Sequence, residues 1–272
     1  MKIAVICNVW NDTDYLEFSL GSVKEFVDKV VVVSSRDRWG QRCLSNGCSD
    51  HEIVKKVFSG YDYEYRCLGD VLDLGVARNL MLSLVPRDFD WVWVVDSDEV
   101  YSEDEIIRLK GFLETAGCDA VHLWFHHFWL SFNRRDIGEY HVERVYRNIP
   151  GLSFNEKHNV ASYADGRRLE EVDGKTKFFD GYFFHYGYVR PLPKIVSKMR
   201  RTFLQNIELR GEVSVGRNGV DIDDEVIYRL NHWFCPEYME GVTAEFPLIK
   251  HPSIMRNHKW YGKAWQEVYL NF

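Results

Sequence analysis

Residues 91–105 read WVWVVDSDEVYSEDE, and the reading of this stretch decides the fold. Trp91 to Val95 is an unbroken apolar run, the pattern of a short strand covered on both faces. It leads directly into Asp96, Asp98 and Glu99, so acids stand where the strand leaves its sheet. Ser102, with Glu105 three residues on, predicts a capping box and a helix from Glu103 to about Thr115, closed by Gly117. In α/β folds, ligands sit at the carboxyl ends of strands. If the strand geometry persists, Asp96 and Asp98 point the same way and together hold one divalent cation. Their hard oxygens suit Mg²⁺ or Mn²⁺, which bind through one or two carboxylates plus substrate phosphates. The competing reading is an acidic loop that caps the next helix.

Working toward the N-terminus, Asp73 to Leu84 has the spacing of a helix with Ala77, Leu80, Met81 and Leu84 inward, Arg78 and Asn79 near its start and Pro86 ending it. Tyr63 to Leu68 predicts a strand, and Ile53 to Phe58 either a short strand or a helix. Lys2 to Trp10 and the β-branched Val30 to Val33 predict the first two strands. Between them Leu16, Leu20, Val23 and Val27 mark one face of a helix reaching about Asp28, with Asn11 to Asp14 supplying turn and N-cap chemistry. Strand, helix, strand is a βαβ unit and implies a parallel sheet. Asp37 follows the second strand and opens a polar, irregular loop over residues 39–51.

Toward the C-terminus, Ala120 to Phe125 predicts a further strand, and the alternation in His141 to Tyr146 an antiparallel edge strand. Residues 126–151 mix aromatics with Arg134, Arg135, Asp136, Glu139, Glu143, Arg144 and Arg147. Two histidines follow, His158 in FNEKHNV and His185 in FFHYGYV. Ile195, Val196, Met199, Phe203 and Ile207 then outline an amphipathic helix carrying Lys194, Lys198, Arg200 and Arg201 on its other face, and Asp221 to Trp233 predicts another helix. That basic face is either solvated or an attraction for phosphorylated ligands. Trp124, Phe125, Phe128 and Trp129 either pack in the core or wall an acceptor site.

The 272 residues are 46% hydrophobic, enough for one large domain or a domain with an extension. A net charge of −7 argues against a general nucleic-acid binder and leaves room for a local basic groove. No run is long and apolar enough to span a bilayer, and MKIAVICNVW reads as a first strand and not as a signal peptide. Cys7 and Cys67 lie in strand-like runs as reduced core residues, and Cys43 and Cys48 lack the second pair that a zinc site needs. A cytosolic, reduced protein is expected, with peripheral attachment to the inner face of a membrane left open.

Three segments in order, ICNVWNDTDYLEFSLGSV from Ile6, ARN at Ala77 to Asn79 and DWVWVVDSDE at Asp90 to Glu99, resemble the family-two glycosyltransferases of the GT-A fold. The likeness is strongest to small bacterial and phage members related to lipopolysaccharide core glucosyltransferases. RVYRN at Arg144 to Asn148 and HYGYVRP at His185 to Pro191 also fit, and the resemblance covers roughly the first two thirds of the chain. It implies an α/β, Rossmann-like, mainly parallel mixed sheet flanked by helices: a nucleotide-sugar-binding catalytic domain over residues 1–190 and a C-terminal helical extension on the acceptor side over 191–272. It also implies transfer of a sugar from a nucleotide-diphosphate donor to a hydroxyl of a glycan, lipopolysaccharide or other acceptor, with Mn²⁺ or Mg²⁺ bridging the diphosphate and the acids.

By that resemblance Asp98 is the main metal ligand, and Asp96 contacts donor ribose, metal-bound water or sugar. Asn11 and Asp37 hold the nucleotide, and Arg78 pairs with donor phosphate or sugar or else forms a surface salt bridge. His185 is the candidate third ligand, with His158 its competitor. In relatives the histidine matching His158 is followed by an acid; here Asn159 follows. The general base therefore falls to Glu156 or Glu143, ahead of Glu139 and Asp136. The chemistry agrees: a departing diphosphate needs its charge neutralised, and an acceptor hydroxyl needs a carboxylate within hydrogen-bond reach. A nucleotidyltransferase would carry a Gly-rich basic loop after the first strand, where NVWNDTDY stands here. A non-catalytic nucleotide-sugar-binding module would bind donor and turn nothing over.

Overall fold

The computed structural model describes residues 1–9, 13–36, 49–70, 74–155, 161–191, 194–195, 198 and 242–269. Asn11, Asp37, Glu156 and His158 lie outside them, as do most of the predicted 195–207 helix and all of the one over 221–233. The described chain runs β1 (Ile3–Val9), α1 (Leu16–Val23), β2 (Lys29–Arg36), α2 (Ser49–Val57), β3 (Tyr63–Asp70), α3 (Leu74–Ser83), β4 (Trp91–Val94), β5 (Glu99–Val100) and α4 (Glu103–Thr115). It continues through β6 (Ala120–Trp129), β7 (Arg134–Asp136), β8 (Tyr140–Arg147), β9 (Ser153–Phe154), β10 (Ala161–Ser162), β11 (Thr176–Tyr188), β12 (Thr243–Glu245) and a short α5 (Trp265–Tyr269). Two compact units result. One comprises Met1–His126, Tyr140–His185 and Pro252–Arg256; the other comprises His127–Glu139, Tyr186–His251 and Asn257–Phe272.

In the first unit β4, β1, β2 and β3 form a parallel run, and β8 and β6 continue it antiparallel beyond β4. The sheet is mixed, flanked by helices and broadly Rossmann-like. The unbroken apolar strands are explained by burial on both faces. Ile3, Val5, Cys7, Val30, Val32, Trp91 and Trp93 belong to one core cluster, with Leu16, Leu20 and Val23 of α1 and Ile106, Leu109 and Leu113 of α4. Their neighbours Ala4, Ile6, Val31, Val33, Val92 and Val94 belong to a second, with Ala77 and Met81 of α3. Strand side chains alternate between faces, so a strand with helices on both sides must be apolar throughout. Each aliphatic side chain so buried contributes about 1.5–3 kcal/mol.

Three expectations are corrected. Ser102 makes no side-chain cap. Glu105 instead pairs with Arg108 at 2.8 Å, and Arg108 also donates to the carbonyl of Asp180. The Glu105 carboxylate fills the space that a Cβ at Gly181 would need, so it is turned toward β11 and away from the helix start. Strand β8 is antiparallel as expected but interior, paired with β4 on one side and β6 on the other. Alternation alone reads the same in both settings. Cys7 is buried, whereas Cys67 is exposed, because the described sheet ends at β3. Of the two readings open for Ile53 to Phe58, the helical one holds, since residues 53–57 lie in α2. Gly117 does close α4, with the positive φ of 57° that favours glycine.

In the second unit β7 pairs antiparallel with β12, and Phe128 at the end of β6 is registered with Arg135. His251 is buried among Phe128, Phe132 and Tyr186. Its Nε2 lies 2.7 Å from the carbonyl of Phe132, which can only accept, so Nε2 carries the proton and Nδ1 accepts from the Tyr186 hydroxyl at 2.7 Å. No described helix is long and apolar enough to cross a membrane.

Candidate functional site

Strand β4 ends at Val94, and residues 96–99 form a turn closed by the Glu99 amide donating to the Asp96 carbonyl at 3.1 Å. The strand geometry therefore does not persist, and Asp96 and Asp98 have different partners, contrary to the expectation that they point the same way. Helix α1 holds the turn from below. The Ser19 hydroxyl donates to the Asp96 carbonyl at 2.9 Å, and the Tyr101 amide donates to the Ser22 hydroxyl at 3.2 Å.

Asp96 sits between two guanidiniums. The Arg144 Nη2 donates to its Oδ2 at 2.8 Å, and the Arg78 Nη2 to its Oδ1 at 3.4 Å. Arg144 also grips Glu99, with Nε at 3.0 and 3.1 Å from the two carboxylate oxygens. Glu99 further accepts from the Asp96 amide at 3.2 Å and the Tyr101 hydroxyl at 3.3 Å. Glu99 and Arg78 are only 1% and 2% exposed, so neither belongs to a surface ion pair. The structural role anticipated for Glu99 matches this placement, and the surface-salt-bridge reading of Arg78 does not.

The charges follow from these contacts. Burial pushes the Asp96 carboxyl up, but Arg144 and Arg78 together outweigh it and hold Asp96 below the usual carboxylate range. Burial dominates at Glu99 and raises it despite Arg144. Arg144 loses to burial but gains more from Asp96 and Glu99, and its pKa stands well above the ordinary value. Burial lowers that of Arg78. Among the described residues the Arg78 Nε has no hydrogen-bond acceptor.

Asp98 meets a histidine. Its Oδ1 lies 3.5 Å from the Nε2 of His185, with side chains 7% and 17% exposed. Topology brings the pair together: β11 lies antiparallel to β5, and His185 is registered opposite Glu99, one residue past Asp98. Phe125 meets the His185 ring edge-on at 5.8 Å. Asp98 and His185 thus offer one oxygen and one imidazole nitrogen, donors that a Mn²⁺-like cation could take. Among the described residues no group of three or more His, Cys, Asp and Glu side chains could hold a metal ion.

Glu143 is placed elsewhere, with Oε1 3.4 Å from the Nε2 of His122. Asp136 accepts from the Gly138 amide at 2.8 Å and the Trp129 indole at 3.3 Å, within the second unit. Phe125 packs on Phe183 and Tyr140, whereas Trp124 contacts His141 and Phe178. Lys198 lies over the Tyr188 ring at 4.9 Å. Sequence reasoning missed Arg144 as the hub of the acidic turn. The available signal was an arginine inside the apolar alternation VERVY, where a buried cation needs buried carboxylates.

No protein-family model matches the chain, and no curated protein sequence matches it. Solved structures are similar at low identity. TarS of S. aureus is 15% identical with a TM-score of 0.48 over 88% of this chain, which spans 43% of that one. A TarS 1–349 structure gives 15% and 0.47 over 85% of this chain and 69% of that one. The 4-diphosphocytidyl-2C-methyl-D-erythritol synthase of Anaerococcus prevotii gives 12% and 0.41 over 75% and 96%. No functional argument rests on likenesses this distant.

Proposed function

We propose that the chain is a metal-dependent, inverting glycosyltransferase that moves a sugar from a nucleotide-diphosphate donor to an acceptor hydroxyl. One observation carries this reading. At the carboxyl end of the central parallel strand, Asp98 is paired with a histidine returned from β11, while its neighbour Asp96 is kept ionised by two arginines. Asp98 and His185 would hold Mn²⁺ or Mg²⁺, which when bound neutralises the charge on the departing diphosphate. Asp96 remains a carboxylate and offers its accepting oxygens to a ribose or sugar hydroxyl. Arg144 fixes the turn through Asp96 and Glu99, and Arg78 acts through Asp96. Asn11 and Asp37, which follow β1 and β2, contact the nucleotide in this reading. Of the two carboxylates expected as base, Glu143 is engaged by His122, so the role passes to Glu156.

Donor hydrolysis and transfer with UDP-, GDP-, TDP- and CMP-sugars, with and without Mn²⁺, tests the proposal. Mn²⁺-dependent turnover that disappears in Asp98→Asn and Glu156→Gln is expected. Binding without any turnover would indicate the non-catalytic module instead, and full metal-independent activity in Asp96→Ala/Asp98→Ala would remove the mechanism.

A further inference from the structure

Glu143 precedes Arg144 on β8 yet belongs to a separate polar cluster. Strand pairing registers His122 of β6 opposite Glu143, and Trp124 opposite His141, so the two histidines are diagonal neighbours. Their Nδ1 atoms are 3.2 Å apart. On the far side of the His122 ring, Nε2 faces the Glu143 Oε1 at 3.4 Å. That oxygen is buried and makes no hydrogen bond among the described residues, so its approach to His122 is one of charge alone. Aromatic rings set the imidazole planes. Phe178 stacks on His122 at 4.8 Å and 18° and meets His141 edge-on at 4.9 Å, while Trp124 meets His141 edge-on at 5.1 Å. Glu143 is 9% exposed, and His141 lies open to solvent.

The Glu143 carboxylate lies on the Nε2 side of His122, which favours the proton there and leaves the Nδ1 lone pair directed at His141. A carboxylate behind an imidazole is the arrangement that orients metal-ligating histidines. Two nitrogens bound tetrahedrally at about 2.0–2.1 Å from zinc lie about 3.3 Å apart, close to the spacing found here. Imidazole pairs favour Zn²⁺, Cu²⁺ and Ni²⁺, not Mg²⁺ or Ca²⁺.

We propose that His122 and His141 form a binding site for a transition-metal dication of the Zn²⁺, Cu²⁺ or Ni²⁺ class, with Glu143 orienting His122 and solvent completing the coordination. On binding, His141 shifts its proton to Nε2 and ligates through Nδ1, tying β6 to β8. The site is independent of Asp98 and His185, and the proposed sugar transfer can fail without affecting it.

The test uses untagged full-length chain, titrated with ZnCl₂ by calorimetry and with CuCl₂ by electron paramagnetic resonance. The wild type is expected to bind Zn²⁺ and to show two nitrogens on bound copper. His141→Ala, at an exposed position, should weaken Zn²⁺ at least about tenfold and remove one nitrogen from the copper signal. Glu143→Gln should weaken Zn²⁺ about 10–100-fold while both nitrogens remain. Repeated in an Asp98→Asn background, which removes the other proposed cation site, the same series should give the same differences. No Zn²⁺ binding by the wild type would overturn the proposal and leave the pair a hydrogen-bonded couple. So would unchanged affinity and an unchanged copper signal in both His141→Ala and His122→Ala.

Discussion

The two halves of the 96–99 turn differ in how their charge is balanced. On the Asp96 side, two carboxylates and two arginines compensate one another within the protein, and Glu99, Arg78 and Arg144 are nearly excluded from water. On the Asp98 side, a buried carboxylate faces an imidazole, which carries charge only when protonated. The first half is a structural lock that stabilises the turn and keeps Asp96 ionised. The second is the proposed cation site. In that reading, two acids two residues apart divide the work between holding the turn and binding.

The largest effect expected from this contrast is on stability. Arg144→Met removes the hub between Asp96 and Glu99 and strands buried charge, which costs about 3–5 kcal/mol. Urea denaturation of the variant measures it, and pairing it with Glu99→Met should recover part of the loss. A cost below about 1 kcal/mol would mean that the Asp96 side is no lock.

Acid titration separates the turn from the second unit. Burial pushes His251 down to about 4 from its ordinary 6.5. Below pH 6.5 the unfolded chain binds the proton and the folded one does not. Stability present above that value is therefore lost as pH falls toward 4, by up to about 3 kcal/mol. Asp96 loses its contribution only at more acid pH, because its folded pKa lies below the ordinary aspartate value of 3.8. Stability curves of wild type and His251→Gln between pH 7 and 4 should diverge in slope, the variant being flatter. Parallel curves would assign the acid sensitivity elsewhere.

The Asp98 side should show the reverse balance. Asp98→Asn, which keeps the side-chain shape and removes its charge, should cost about 1–3 kcal/mol of unfolding stability, less than Arg144→Met. Mn²⁺-dependent turnover should fall at least about 100-fold. A stability loss matching that of Arg144→Met would erase the difference between the two halves. The smallest effect is at the start of α4. Because Ser102 makes no cap bond, Ser102→Ala should stay within about 0.3 kcal/mol by thermal unfolding, where a bonded cap is worth about 1 kcal/mol.

Features governed by local pattern were legible in the sequence. Trp91–Val94 is apolar on both faces because helices cover both, and the same rule exposed β1 and β2. The acids after β4 were visible for the same reason. What sequence could not supply was pairing between distant segments. His185 meets Asp98 through the β11–β5 register, and only the family resemblance pointed to it. Arg144 reaches Asp96 because β8 lies beside β4, while the alternation of β8 suggested an edge. His122 and His141 went unnoticed because their convergence depends on a register shift between β6 and β8 at Val121/His122. Glu105 satisfied a capping-box spacing, yet the room beside Gly181 and the reach of Arg108 drew it away.

The most direct test of the central claim is Mn²⁺ binding in the presence of a nucleoside diphosphate, measured in a His141→Ala background so that the imidazole pair is silent. The Asp98–His185 account predicts that UDP or GDP strengthens Mn²⁺ binding and that Asp98→Asn and His185→Ala each abolish the enhancement. Equal, nucleotide-independent Mn²⁺ affinity in all three proteins would contradict it.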